Sequence, residues 1–313
     1  MRFLITGGAG FLGAALANRL AAEGHSVRAL DDLSSGEREA LSPAVHFSRG
    51  DVNNIPLLWS MLQDVDCVYH LAARVSVAES ILYPRDYNAA NVGGTVSLME
   101  AMRDAGIRRV VLASSGAVYG SQPSQPVRES DAPRPESPYA VSKWAAECYV
   151  HTIGRLWGIE TVALRIFNAY GPGQNLPVSH APAVPRFMRA SLTGESVVIY
   201  GEGGQSRDFV YLADVVDALA AAASAAGLNR QVLNIGSGVE TSVNALADLV
   251  QEVTGRQIQR VYNHKKLPGV ARLVADVAQA QALLGFRPRF SLREGLQATL
   301  AEDARFRRVG QAA

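Results

Sequence analysis

The sequence predicts an α/β protein: a doubly wound, mainly parallel sheet of seven strands with a smaller α/β lobe toward the C-terminal end. Three observations predict it. Short apolar runs alternate with helix-period segments through the first two-thirds of the 313 residues, which is the rhythm of βαβ units. Those runs are rich in Val, Ile, Leu and Phe with little polar alternation, as strands covered on both faces are. A glycine cluster, GGAGFLG at 7–13, follows the first run directly.

The expected strands are 2–6, 26–30, 45–47, 66–71, 109–114, 160–166 and 231–235. Between the first two, Leu12, Leu16 and Leu20 share one face of a helix that Gly24 stops. At 137–143 Ser137 is a good N-cap and Pro138 suits the first helical position. The pattern loosens after Ile166, where 170–186 is rich in proline and reads as a long irregular loop. Helix signals resume at 182–193, 211–226, 243–253, 278–284 and 291–305. This divides the chain into a dinucleotide-binding part, 1–166 with 207–236 returning to it, and a substrate lobe, 167–206 and 237–313.

Composition narrows the class. With 48% apolar and 19% charged residues, the chain is neither disordered nor fibrous. Thirty basic and 29 acidic residues leave a net charge of +1, so no bulk field draws it to nucleic acid or anionic lipid. Two cysteines are too few for a disulfide framework or a cysteine zinc site and point to a reducing compartment. The opening MRFLIT is too short for a signal sequence, and the alanine-rich run 212–227 carries Asp214 and Asp217 and would not span a bilayer. A cytoplasmic protein is expected.

The glycine cluster has a physical reading. Gly7 allows a tight turn, Gly10 lets the backbone approach a pyrophosphate, and Gly13 permits close packing of helix on strand. The helix N-terminus then presents free N–H groups and a positive dipole end to the phosphates. Asp31 lies 18 residues after Gly13, where an acid pairs with the adenosine ribose and repels a 2′-phosphate, so NAD is favoured over NADP. Asp32 is the alternative ribose partner. Asp51 and Val52 follow the third strand, placed for the adenine edge.

The catalytic signal is SPYAVSK at 137–143. Tyr139 and Lys143 stand four apart on one helical face, and an ammonium beside a phenol favours the phenolate, a usable general base. Residues 114–120, SSGAVYG, end the fifth strand at the carboxyl edge of the sheet. There the Ser114 or Ser115 hydroxyl can bond a reacting oxygen.

At these residues the chain resembles the extended short-chain dehydrogenase/reductases, and within them the nucleotide-sugar 4-epimerases. The motifs are GGAGFLG, LDDLSSG at 30–36, HLAA at 70–73, NVGGT at 91–95, SSGAVYG, SPYAVSK, RIFNAYGPGQ at 165–174 and GQSRDFVYLADVVDA at 204–218. The resemblance covers nearly the whole chain. It implies a Rossmann-like fold with NAD lined by Gly7, Gly10, Phe11, Leu12, Gly13, Asp31, Asp32, Asp51, Val52, Leu71, Ala72, Ala73, Asn91, Tyr139 and Lys143. Ser115, Tyr139 and Lys143 resemble the catalytic triad. Tyr139 would take the sugar 4-hydroxyl proton as C4 passes hydride to the nicotinamide, and hydride would return to the other face of the 4-keto sugar. Asn168 and Arg207 resemble the ligands of the sugar diphosphate, with Arg272 as a further one. The substrate implied is a UDP-hexose, most simply glucose and galactose, and the partner a second copy of the chain, through a face including helices 91–105 and 138–156.

Departures from the family pattern help to choose the reaction. Gly116 and Ala117 stand where 4,6-dehydratase relatives carry Asp-Glu and glucuronate decarboxylases a glutamate. Near 264–276 the register is one residue short, with Val270 where an acid is usual. Leu273 aligns there with the residue that limits sugar size at C2 and points to hexoses over N-acetylhexosamines. The loop 175–186, with His180, should line the sugar pocket. The six histidines show no metal-ligand spacing. Cys67 and Cys148 read as small buried hydrophobes. The alternatives are a ketosugar reductase, an N-acetylhexosamine or glucuronate epimerase, a dehydratase, or a binding protein that only senses NAD.

Overall fold

The computed structural model describes residues 1–177, 179–264 and 269–311, the last four of them as backbone. Residue 178 of the expected sugar-pocket loop and 265–268 of the expected phosphate stretch lie outside the described residues. In chain order the strands are β1 (Arg2–Thr6), β2 (Ser26–Asp31), β3 (His46–Arg49), β4 (Cys67–His70), β5 (Arg109–Ser115), β6 (Glu160–Ile166), β7 (Asn168–Tyr170), β8 (Ser196–Tyr200), β9 (Ser206–Tyr211), β10 (Gln231–Ile235), β11 (Glu240–Ser242), β12 (Gln259–Asn263) and β13 (Arg272–Leu273). The helices are α1 (Phe11–Ala22), α2 (Ile55–Met61), α3 (Val77–Leu82), α4 (Pro84–Tyr87), α5 (Gly94–Asp104), α6 (Pro138–Trp157), α7 (Ala183–Thr193), α8 (Leu212–Ser224), α9 (Val243–Thr254), α10 (Ala278–Leu284), α11 (Leu292–Glu302) and α12 (Ala304–Gln311).

The main sheet has seven strands in the order β10-β6-β5-β4-β1-β2-β3, and every pair is parallel. One face is covered by α1, α8 and α10, packed around Leu16, Leu20, Leu219 and Phe286. On the other lie α2, α5 and α6, around Leu58, Leu98, Met102 and Val150. Strand order reverses between β1 and β4, so a crevice opens at their carboxyl ends.

A second core joins α7, α9, α11 and β8 around Phe187, Leu246 and Leu296. Its four-stranded sheet runs β11-β9-β13, with β7 also on β9. The path returns to the main sheet through α8 and β10, while β9 itself pairs in the smaller sheet. Strands β7, β8, β9, β11, β12 and β13 carry no sequence expectation, because most are short and half-exposed; β8 alternates buried and exposed residues. The helix expected from 91 instead begins as a π-helical turn, Asn88–Gly93, a feature frequent at functional sites. The segment 291–305 breaks at Asp303, whose backbone turns extended.

Candidate active site

The glycine loop leaves β1 with Gly7 at φ +68. A Cβ on Gly7 would lie 2.6 Å from the Ala72 nitrogen, and one on Gly13 2.0 Å from the Gly7 oxygen. Gly10 caps α1 with no side-chain hydrogen bond, so the N–H groups of the first turn remain open to an anion. The loop therefore packs against 71–73 after β4 with backbone on both sides, and Phe11 and Leu12 start the helix. Beside that first turn opens a cleft of about 320 Å³, reached by Pro172 and Gly173 from across the crevice.

Asp31 and Asp32 differ sharply. Asp31 is buried at the end of β2 and accepts from the Ala9 nitrogen (3.0 Å) and the Leu33 nitrogen (2.8 Å). Burial raises its carboxyl pKa against those bonds. Asp32 is exposed and caps its own turn at Ser34. Asp51 accepts from Asn53, and Val52 is buried against Gly94.

Helix α6 carries the catalytic candidates. The Ser137 hydroxyl accepts from the Ala140 nitrogen at 3.2 Å, capping the helix. Tyr139 and Lys143 are both buried on its inner face. Ser115, at the end of β5, lies near enough to Tyr139 to act on its phenol, and its hydroxyl accepts from the Ala117 nitrogen at 3.1 Å. Adjacent strand residues point to opposite faces; Ser114 points to the α6 side and donates to Glu147. Tyr87 stands edge-on to Tyr139, ring centroids 6.4 Å apart. Burial holds the Tyr139 phenol above its ordinary pKa, with the Ser115 hydroxyl working the other way. The expected depression by Lys143 is not found. The ammonium donates instead to the Ala113 carbonyl at 2.9 Å, and its own pKa is pushed down to about 8 by burial.

A polar chain that motif spacing does not disclose runs under the site. Thr6 meets His70 Nδ1 at 2.7 Å, His70 Nε2 meets Thr95 at 2.9 Å, and Thr95 donates to the Asn91 carbonyl. The Asn91 side chain accepts from the Arg74 nitrogen and donates to the Arg74 carbonyl and to Ser142. Because the Thr95 proton goes to Asn91, His70 Nε2 is the donor and Nδ1 the acceptor. Burial, and then the Lys143 charge, push the imidazole down to about 3, so it stays neutral. Asn91 thus ties the 71–74 segment to the helix of Tyr139.

The smaller sheet gathers the substrate candidates. Asn168 pairs with Phe209 in register, two residues beyond Arg207 on β9. Arg207 donates to the Ser206 carbonyl (2.7 Å), and burial alone lowers its pKa. Such an under-compensated cation suits an anionic ligand. Arg272 reaches the same sheet but forms a two-pronged pair with Glu240, both contacts 2.7 Å; a phosphate there would have to displace that carboxylate. Glu240 is held down to about 2 by Arg272 and then Ser206.

Gly116 follows Ser115 under the Phe167 ring, where a Cβ would meet three ring atoms at 3.1 Å. Any acid at this position would have to move that ring. Cys67 is buried, whereas Cys148 is exposed. Nine residues of helix place Cys148 half a turn round from Tyr139, on the outer face with Val141 and Trp144. Among the described residues no group of three or more His, Cys, Asp or Glu side chains is placed to hold a metal ion.

A family model described as NAD dependent epimerase/dehydratase family matches residues 3–236. The UDP-glucose 4-epimerase of Mycolicibacterium smegmatis is 38% identical over 96% of this chain and 97% of its own. The UDP-glucose 4-epimerase of Thermotoga maritima, solved with UDP-glucose, superposes with a TM-score of 0.93 at 34% identity, over 98% of this chain and 99% of that one. MoeE5, solved with UDP-glucuronic acid and NAD, superposes at 0.88 with 39% identity, over 98% and 99% of the two chains.

Proposed function

The chain belongs to the NAD dependent epimerase/dehydratase family, and we infer that it is an NAD-dependent nucleotide-sugar 4-epimerase acting on a UDP-hexose, most simply glucose and galactose. One observation supports the reading: Tyr139 and Lys143, buried on the inner face of α6, face the end of β5 at Ser115, beside neutral Gly116 and Ala117 where dehydratase and decarboxylase relatives carry acids.

The residues present fit the cofactor. The glycine cradle leaves no room for side chains at positions 7 and 13, and the first turn of α1 is uncapped. Gly7, Gly10, Phe11, Leu12 and Gly13 would hold the pyrophosphate and Asp31 the ribose. Asp51 and Val52 would meet the adenine, and Leu71, Ala72, Ala73 and Asn91 the floor, with Tyr139 and Lys143 at the nicotinamide ribose. When bound, NAD supplies the acceptor and donor of the sugar C4 hydride. Tyr139 takes the proton of the 4-hydroxyl and returns it to the same oxygen when C4 is reduced from its other face. Ser115 steadies the oxygen while it is a ketone. The Lys143 ammonium, which donates to the Ala113 carbonyl, would favour the phenolate by turning toward it. Arg207 and Asn168 grip the diphosphate, the planar guanidinium meeting two oxygens together; Arg272 joins only by exchanging Glu240.

A second reading, with UDP-glucuronate as the sugar, is favoured by one similarity: MoeE5 has been solved with UDP-glucuronic acid and with UDP-glucose. A panel of UDP-, dTDP- and GDP-sugars, UDP-glucuronate included, decides between them when incubated without added cofactor and analysed by NMR. C4 epimers of UDP-glucose should form with no net NADH and no solvent deuterium at C5. Loss of water, release of CO₂ or stoichiometric use of NADH would move the protein to a sister reaction.

The same family reading supports a homodimer. Of the two helices expected there, α6 exposes Val141, Trp144 and Tyr149, and α3, packed on it, exposes Val77, Ile81 and Leu82, whereas 91–105 contributes no large exposed apolar residue. Sedimentation at micromolar concentration should give twice the chain mass; a monomer there removes the claim. No helix among the described residues is long and apolar enough to cross a membrane, and a cytoplasmic enzyme remains our inference from composition.

A further inference from the structure

Further along the catalytic face of α6 lies a group of charges that the reaction described above does not use. Tyr139, Lys143 and Glu147 follow one another at intervals of four, so all three lie along the inner face of the helix. Glu147 and Arg165 are both buried, at 3% and 4% exposure. Their pairing is two-pronged, 3.0 Å from Nε and 2.8 Å from Nη2. The same carboxylate accepts from Ser114, the residue before Ser115. The guanidinium lies over the Tyr119 ring, 4.6 Å from its centre, and the Tyr119 hydroxyl donates to Asn234 on β10 at 2.7 Å. A hydrophobic trio of the same volume is often as stable as a buried ion pair, so stability alone is a weak reason for these charges.

We propose that Glu147 is a positioning residue of the reaction: with Ser114 and Arg165 it locks α6 to the ends of β5 and β6, and its negative charge keeps the Lys143 side chain an ammonium. The inference rests on Lys143 belonging to the catalytic set. The groups facing Lys143 leave Glu147 alone in that role. On its own helix stand Tyr139 and Glu147; β4 offers His70, which is neutral, and β5 offers the Ala113 carbonyl with Ser114 and Ser115. Arg165 comes from β6 with a charge of the wrong sign. Glu129, beyond Asn234, senses Arg165, and His151 and Cys148, the remaining titratable neighbours of Glu147, lie further along α6. Burial drives Lys143 down to about 8, and Glu147 is the charge that works against it.

The test is an NMR titration of the Lys143 side chain in the protein as purified, assigned by comparison with Lys143→Arg, in wild type, Glu147→Gln and the double variant Glu147→Gln/Arg165→Met. Glu147→Gln should lower the Lys143 midpoint by about 1 unit or more, the scale of a lost neighbouring charge. The alkaline limb of the pH–rate profile should follow it to lower pH. If the single variant does not fold, the double variant, which strands no charge, should still titrate below wild type. Ser114→Ala, which keeps the charge, should leave the midpoint unmoved. A Lys143 midpoint unchanged in either folded Glu147 variant overturns the proposal and leaves Glu147 a purely structural residue. Because the titration is read without turnover, a shifted midpoint in a protein inactive on every sugar of the panel would sink the assigned reaction and not this inference.

Discussion

Tyr139→Phe should lose on the order of 10²–10⁴ in turnover, the scale of a removed general acid–base group, while NAD and UDP-sugar binding largely survive. The substitution deletes one oxygen from a ring that is otherwise kept in place by burial and by its edge contact with Tyr87. The influence of the Ser115 hydroxyl on the phenol goes with it. The wild-type rate should climb with pH until Lys143 loses its proton, since burial holds the phenol pKa up and its deprotonated form is the one that works. The residual rate of the variant should lack that limb. Initial rates between pH 6 and 10, with calorimetric titration of the sugar nucleotide, check both parts. Undiminished turnover would overturn the assignment of the base and would also favour a protein that merely binds NAD.

Gly13→Val should have the largest effect on the protein itself. A Cβ at this position meets the Gly7 oxygen at 2.0 Å and the Gly8 Cα at 2.8 Å. Both are backbone, so no side chain can swing aside, and α1 must lift off the loop it closes. The expected cost is about 3 kcal/mol or more, the upper range for overpacking, or a melting temperature lower by roughly 5 °C or more for a chain of this size. The purified variant should carry roughly a tenth or less of the wild-type NAD. Gly204→Ala is the control, because a Cβ there meets nothing within 4 Å; it should change stability by less than about 0.5 kcal/mol. A Gly13→Val protein with normal melting and full NAD would refute the cradle.

The strands of the main sheet were legible because burial on both faces leaves an uninterrupted apolar run, as in Val110 to Leu112 or Val162 to Leu164. The smaller sheet was not, since strands such as β8 or the two-residue β13 leave a pattern that many loops share. Tyr139 and Lys143 were readable from a fixed helical interval. Glu147 extends the same interval, yet a carboxylate at that spacing usually marks a solvated face, and only Arg165, coming from a distant strand, shows that it is buried. The choice between Ser114 and Ser115 needed the end of the strand to be seen, since both hydroxyls lie in one motif. Asp31 separates from Asp32 for the same reason. Cys148 misled because cysteine is so often buried. His70 stood in a recognised motif, but its role depends on Thr6 and Thr95, which no spacing rule connects to it.

The strand order has a consequence for how the chain is made. β6 is bordered by β5 on one side and β10 on the other, and all of 167–230 must leave the ribosome between them. At about 5–20 residues per second that interval lasts ~3–13 s. Throughout it the backbone edge of β6 stays unpaired, flanked by side chains destined for the interior, and such an edge invites pairing with other chains. The segment inserted there, with α7 and strands of the smaller sheets, therefore delays closure of the main sheet. A nascent chain stalled within it would present a sticky edge to chaperones and to its neighbours on the same messenger.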